Sequence, residues 1–238
     1  MKSDSGSSAI FLIALFSFIV IGLPLISSSP ADAWDPAEQR ALVYDAHRSF
    51  ENFMKDPETK WFRNYVKEAQ GLLIIPKYYK AGLVFAASWG RGIVMMKDRE
   101  TGEWSEPAFY TVGSASVGLQ VGGKISELIM MVMTRKGLDS LYKSSFTFGG
   151  EVSIATGPVG VGAERSTDVN LSADYLAFAR IRGAFAGASL EGAVMKTNDD
   201  WNSAYYGKPV MPIDILVNHE VSHSYSVDLI KAVKEATK

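Results

Sequence analysis

The sequence contains no cysteine. That excludes disulfide bonds, thiol nucleophiles, cysteine-ligated zinc, iron–sulfur clusters and lipid attachment at an N-terminal cysteine. Histidine is scarce: three residues in 238, so imidazole chemistry is confined to His47, His219 and His223. Nine prolines against 21 glycines exclude a collagen or a proline-rich linker and favour tight turns and strands. Neither sign of charge prevails. There are 24 Lys and Arg against 26 Asp and Glu, a formal charge of -2, whereas a domain built to hold nucleic acid is basic. Nucleic acid is therefore not an expected partner. Apolar residues, at 47%, suffice for a packed core, which excludes a disordered chain.

One long apolar run exists, Ala9 to Ile26, broken by Gly22 and Pro24 and followed by small residues ending Ala31-Asp32-Ala33. This pattern predicts a secretory signal over residues 1–33, cut after Ala33. The chain is then exported, periplasmic or secreted, and peripheral on a membrane. The alternative is an uncleaved N-terminal anchor, since eighteen residues nearly span a bilayer.

Helix signals follow. Asp35-Pro36-Ala37-Glu38 offers a cap, a proline at the first helical position and a first-turn acid. Leu42, Val43, Ala46, Phe50, Phe53 and Met54 keep helical spacing. Asp56-Pro57-Glu58 ends that helix and starts another, which Gly71 stops. Its apolar set is Trp61, Phe62, Tyr65, Val66 and Ala69.

The period then changes. Short apolar runs bounded by Pro76 and Gly82, a turn at Trp89-Gly90-Arg91-Gly92, and a returning strand over Ile93 to Met96 are expected. Alternation from Phe146 to Ile154 and from Leu171 to Ile181 predicts strands with two unlike faces. A helix over Arg135 to Tyr142 interrupts them. A last helix runs from about Tyr225 to Ala236, with Tyr225, Leu229, Ile230 and Val233 turned inward. The fold class is α+β: a strongly bent antiparallel sheet, barrel- or sandwich-like, with N-terminal helices and a C-terminal helix.

Three stretches resemble catalytic motifs. Gly118 to Ile125 lacks the hydroxyl residue that a P-loop places after Lys124, and reads better as glycines within strands. Gly187-Ala188-Ser189-Leu190-Glu191 misses the nucleophile-elbow pattern by its last residue. His219-Glu220-Val221-Ser222-His223 is a literal H-E-x-x-H, which on a helix puts two zinc-binding imidazoles on one face. It defines the alternative function, a zinc-dependent hydrolase. His47 sits among charges and reads as a surface residue.

The second helix is more informative. At about 100° per residue, Lys60, Arg63 and Lys67 fall within an arc of roughly 60°, opposite the aromatic side. Lys77 and Lys80 follow in Ile75-Pro76-Lys77-Tyr78-Tyr79-Lys80. Such a cationic strip suits anionic lipid headgroups, each basic residue contributing about 1 kcal/mol.

Further stretches carry a resemblance. They are Gly71 to Gly82, Trp104 to Tyr110, Ser116 to Gly122, Gly157 to Gly162, Gly187 to Gly192 and Asn202 to Gly207, the last with Tyr205-Tyr206-Gly207. In this order they make residues 34–238 similar to the SYLF domain family of lipid-binding proteins, also described as the actin-binding domain of yeast actin-patch proteins. The chain looks most like an exported bacterial branch without SH3 or FYVE modules. The resemblance implies non-enzymatic binding of phosphoinositides or other anionic membrane lipids, with no cofactor. Lys77 and Lys80 stand in the family's apolar-Pro-x-x-x-Lys-Ala-Gly segment. Lys60, Arg63 and Lys67 lie where relatives carry a lipid-binding amphipathic helix. Actin and export pull against each other, because an exported protein meets no cytoplasmic actin. An envelope interaction module that touches lipid incidentally is a third reading. Oligomeric state is not legible.

Overall fold

The computed structural model describes residues 36–82, 85–117, 122–157, 172–181, 184–186 and 190–238. The proposed leader, Asp35, Ser189 and the Gly118 half of the P-loop-like stretch lie outside them.

Helix α1 (Ala37–Lys55) forms where the spacing requires, with Val43, Ala46, Phe50 and Phe53 buried. Asp56 ends it, and its carboxylate accepts the Glu58 amide at 2.9 Å, capping a 3-10 turn at Pro57–Thr59. The second helix is shorter than its apolar set suggests. Helix α2 spans Lys60–Tyr65, another 3-10 turn takes Val66–Glu68, and Ala69 is already extended. Gly71 therefore opens a strand rather than closing a helix.

The strands are β1 (Gly71–Gly82), β2 (Phe85–Met96), β3 (Ala108–Val117), β4 (Gly122–Val132), β5 (Ser145–Thr147), β6 (Ile154–Thr156), β7 (Tyr175–Ile181), β8 (Ala184–Ala186) and β9 (Val194–Thr197). Helix α3 (Arg135–Ser140) follows β4, and α4 (Asp199–Tyr206), α5 (Pro212–Leu216) and α6 (Val227–Ala236) close the chain. The strands form one curled half-barrel sheet in the order β5-β9-β3-β2-β1-β4-β7-β6, with β8 also on β7. Its pairs are antiparallel except β6 with β7, which are parallel, so the sheet is mixed. The α+β architecture with helices at both chain ends is as expected.

Two features differ from the sequence reading for a common reason. Pro76 does not end β1, and Trp89 to Gly92 does not turn. Between Ile74 and Lys77 β1 carries an extra residue against Ile93 and Arg91 of β2, a bulge that the ladder with β4 repeats. A central strand tolerates proline at a bulge, where no ladder amide is needed. The bulge presses on β2. A Cβ on Gly92 would lie 2.6 Å from the Ile74 carbonyl oxygen, and one on Gly90 2.8 Å from Ile75 Cγ2. These glycines mark a close approach of two strands.

Other corrections are local. The Phe146 to Ile154 alternation is broken into β5 and β6, because Gly149 turns with φ +79°. β7 is buried on both faces from Tyr175 to Ala179. Helices α4 and α5 were not expected. Tyr225 is exposed, at 58%, while Leu229 and Val233 are buried as expected. His47 is half-buried, 3.8 Å from Glu51 one helical turn on.

The sheet divides two cores. On one face Leu72, Ile74, Ile93, Met95, Ile129 and Phe178 meet α1, α2 and α6. There Phe62 lies edge-on to Phe50 and Phe178, at 6.1 and 5.4 Å between ring centres. On the other face Leu73, Val94, Tyr110, Met130 and Tyr175 pack with Leu138, Phe146, Phe148 and Met195. Each fully buried side chain of this size contributes about 1.5–3 kcal/mol. Among the described residues, no helix is long and apolar enough to cross a membrane.

Candidate functional site

The bulge in β1 sets what its last residues present. Paired residues of neighbouring strands share a face. Ile74 pairs with Ile93 and, past the bulge, Lys77 pairs with Arg91, so both lie on the face that the helices cover. The helices leave the end of this face open. There Tyr79 pairs with Trp89 on one side and with Ile125 on the other, making a row across β2, β1 and β4. Trp89 and Ile125 are 49% and 54% exposed. The Tyr79 and Trp89 rings stack at 5.5 Å with planes 17° apart. Exposed apolar rings of this kind are favoured where one side is wet and the other apolar.

Cations surround the row. One step inward, Lys77 Nζ binds Asp45 of α1 at 2.7 Å, and this hydrogen bond holds the lysine pKa above its ordinary value. Arg91 lies over the Trp201 ring at 4.6 Å, a cation–π contact. On the opposite face Lys80 and Lys124 stand directly across the β1–β4 ladder. Like charges so placed repel. Among the described residues neither lysine forms an ion pair, so a bound anion would relieve the repulsion. Tyr79, Lys80, Trp89, Lys124, Ile125 and Ile181 line one groove of about 730 Å³.

The cations of α2 are arranged differently. Arg63 is half-buried and donates to the carbonyls of Met54 and Asp56 and to the Thr59 hydroxyl. With Thr59, whose hydroxyl donates to the Phe53 carbonyl, it satisfies the C-terminal end of α1. Its guanidinium therefore serves the fold, while Lys60 and Lys67 are exposed. Trp61 and Tyr65 are half-buried rather than core and stack face to face at 4.7 Å. With Lys60, Asn64 and Glu68 they line a groove of about 340 Å³. Neither Lys77 nor Lys80 lines this groove. The five sequence-selected cations thus fall into two groups, one gathered with Arg91 and Lys124.

Lys124 lies in a strand, as the glycine-rich stretch leads one to expect, whereas Trp89 lies in a strand where the sequence suggests a turn. The available signal was period two: Trp89, Arg91 and Ile93 alternate, as do Ile125, Glu127 and Ile129.

The H-E-x-x-H residues do not share a helical face. Residues 217–223 are irregular, and His219 has the left-handed φ of 52°. His223 Nδ1 accepts the Tyr225 amide at 3.3 Å, and its ring stacks on Tyr205 at 4.3 Å. Burial, and then Arg40, holds its pKa below the usual imidazole value. The His223 amide and the Ser226 hydroxyl both donate to Glu106, whose carboxyl burial raises in pKa. The segment is a strap between α5 and α6. Among the described residues, no three His, Asp or Glu side chains converge as metal ligands.

Residues 113–236 match the family described as Ysc84, Las17-binding protein actin regulator. The cattle (Bos taurus) SH3 domain-containing YSC84-like protein 1 is 28% identical over 174 residues, 73% of this chain and 50% of that protein. The LAS seventeen-binding protein 3 of Saccharomyces cerevisiae is 30% identical over 145 residues, 60% of this chain and 31% of that protein. The chain thus spans about half or less of the curated relatives it matches. Because the family match covers half of the sequence, from within β3 through α6, the chain belongs to the Ysc84 family, described by binding and regulation rather than by a reaction.

Proposed function

We propose that the chain binds anionic phospholipid or phosphoinositide-type headgroups at a membrane surface, without catalysis, through the groove at the open end of strands β1, β2 and β4, to which both faces of the sheet contribute. The observation that carries this reading is the opposition of Lys80 and Lys124 beside the row of half-buried Tyr79 and exposed Trp89 and Ile125. The rings and Ile125 suit the headgroup boundary, and the lysines suit its charge. Lys77 and Lys60 with Lys67 add to the attraction, and Arg63 holds α1 and α2 in place beside them. In this reading residues 1–33 direct export and are removed after Ala33, or remain as an anchor. N-terminal sequencing of the mature protein separates the two.

The test is co-sedimentation with phosphatidylcholine vesicles with and without phosphatidylglycerol. Replacing Lys80 and Lys124 by Gln should weaken binding to the anionic vesicles by on the order of 2 kcal/mol. Equal binding of wild type and double variant would refute the site.

The family description favours a second reading, an interaction with a Las17-type actin regulator. Co-sedimentation with filamentous actin, with and without such a regulator, is the matching experiment.

A further inference from the structure

Between α1 and the sheet lies a groove of about 500 Å³, a volume ordinary for small-molecule sites. Four charged side chains line it: Glu38, Asp45, Lys77 and Arg91. Lys77 and Asp45 bind each other at 2.7 Å. Glu38 and Arg91 form no ion pair with each other or with any other described residue. The Arg91 guanidinium is held over Trp201 at 4.6 Å, which fixes its direction without neutralising it. Thr111, the register partner of Arg91, also lines the groove, as do the apolar Leu42 and Trp89.

A lone anion in this groove would face Glu38, and a lone cation would face Arg91. Two unpaired charges of opposite sign on one apolar-walled groove complement a ligand that carries both. The guanidinium fork suits a phosphate, and a carboxylate accepts hydrogen bonds from a primary ammonium. We propose that this groove recognises a zwitterionic phosphate–ammonium group of the phosphoethanolamine type. Its phosphate lies on Arg91, its ammonium on Glu38, and its apolar remainder along Leu42 and Trp89. The group can belong to a membrane lipid or to a free headgroup ester. This ligand differs from the anionic surface proposed above, and its recognition does not depend on Lys80 or Lys124.

The experiment follows tryptophan fluorescence and binding heat in solution, without vesicles. The probes are dihexanoyl phosphatidylethanolamine below its micelle concentration, glycerophosphoethanolamine, and dihexanoyl phosphatidylglycerol, which keeps the phosphate and lacks the ammonium. Wild type should bind the phosphatidylethanolamine saturably, and roughly tenfold or more tighter than the phosphatidylglycerol, as expected for a charged hydrogen bond. Glu38→Gln should remove that preference. Arg91→Gln should abolish saturable binding of the phosphatidylethanolamine, and Arg91→Lys, which keeps the charge and loses the fork, should not restore it. Binding of glycerophosphoethanolamine as well supports the site and a free ester as its source; binding of the lipid alone supports the site and a lipid source. Lys80→Gln with Lys124→Gln, which lie outside the groove, should leave the affinity for the phosphatidylethanolamine unchanged, so failure of the surface reading and failure of the groove appear in different assays. Circular dichroism checks each variant, and Glu38, exposed in the first turn of α1, keeps the test open if Arg91→Gln unfolds. Equal affinity for the two lipids, a preference that survives Glu38→Gln, or no saturable binding would overturn the proposal.

Discussion

The carbonyl oxygen of Ile74 occupies the space that a side chain on Gly92 would need, 2.6 Å from an ideal Cβ. Backbone cannot yield as a flexible side chain does. Gly92→Ala should therefore cost about 1–3 kcal/mol, the usual penalty of overpacking. Gly123→Ala, whose nearest neighbour is 3.9 Å away, should stay within about 0.5 kcal/mol of wild type. Urea denaturation measures both, and an unchanged midpoint for Gly92→Ala would remove the bulge from its proposed role.

Arg63 and its neighbours on α2 should separate in stability and binding. Arg63→Gln removes donors to the Met54 and Asp56 carbonyls and should lower stability by about 1–3 kcal/mol, the cost of orphaned acceptors. Lys60→Gln with Lys67→Gln should lower vesicle affinity by at most on the order of 2 kcal/mol, increasingly screened by salt. Thermal melts and salt-titrated co-sedimentation distinguish the two. An Arg63→Gln variant as stable as wild type but defective in lipid binding would reverse the assignment.

The strap carries two titrations of opposite sign. His223 is held below its ordinary pKa, so the unfolded chain takes its proton first. Stability should fall as pH drops through and below about 6.5. Glu106 is held above its ordinary value, so the folded state takes that proton first. Its burdened carboxylate should depress stability above its folded pKa, with relief as pH falls towards about 4.3. Denaturation of His223→Gln and Glu106→Gln across pH reads each contribution as a difference from wild type. Differences that do not vary with pH would contradict both assignments.

Zinc should have no structural or functional partner in His219, Glu220 and His223. The strap backbone is not helical, and His223 already accepts a backbone amide. Purified chain should take up no stoichiometric zinc on dialysis, and a chelator should leave its melting midpoint unchanged. One bound equivalent, lost in His219→Ala, would restore the metal reading.

Much of the helical layer was legible because its signals are local. Val43, Ala46, Phe50 and Phe53 declare a buried face at helical spacing, and Leu229 and Val233 do the same for α6. Helix α4 was missed although its signals were present: Asn198 caps the Trp201 amide, Asp199 and Asp200 fill the first turn, and Gly207 closes it at φ +67°. Aromatic and asparagine residues hid it by lacking a clear apolar period. The glycines of Trp89 to Gly92 were misread because their cause lies on another strand. For the same reason Lys77 and Lys80 could be selected from sequence, but not their grouping with Trp89 and Lys124. Strand register joins these positions, and no local spacing records it.

The place of β1 has a consequence for how the molecule is made. Synthesis delivers the middle of the sheet before either edge. β2 can pair with β1 as soon as it emerges, but the other side of β1 must wait for β4, after β3 is complete. Until then Leu72 to Ile75 present an apolar strand with one unpaired edge, a template for pairing with another nascent chain. A polypeptide stopped after Val117 would keep that edge open, whereas one extended through Val132 would have covered it from within.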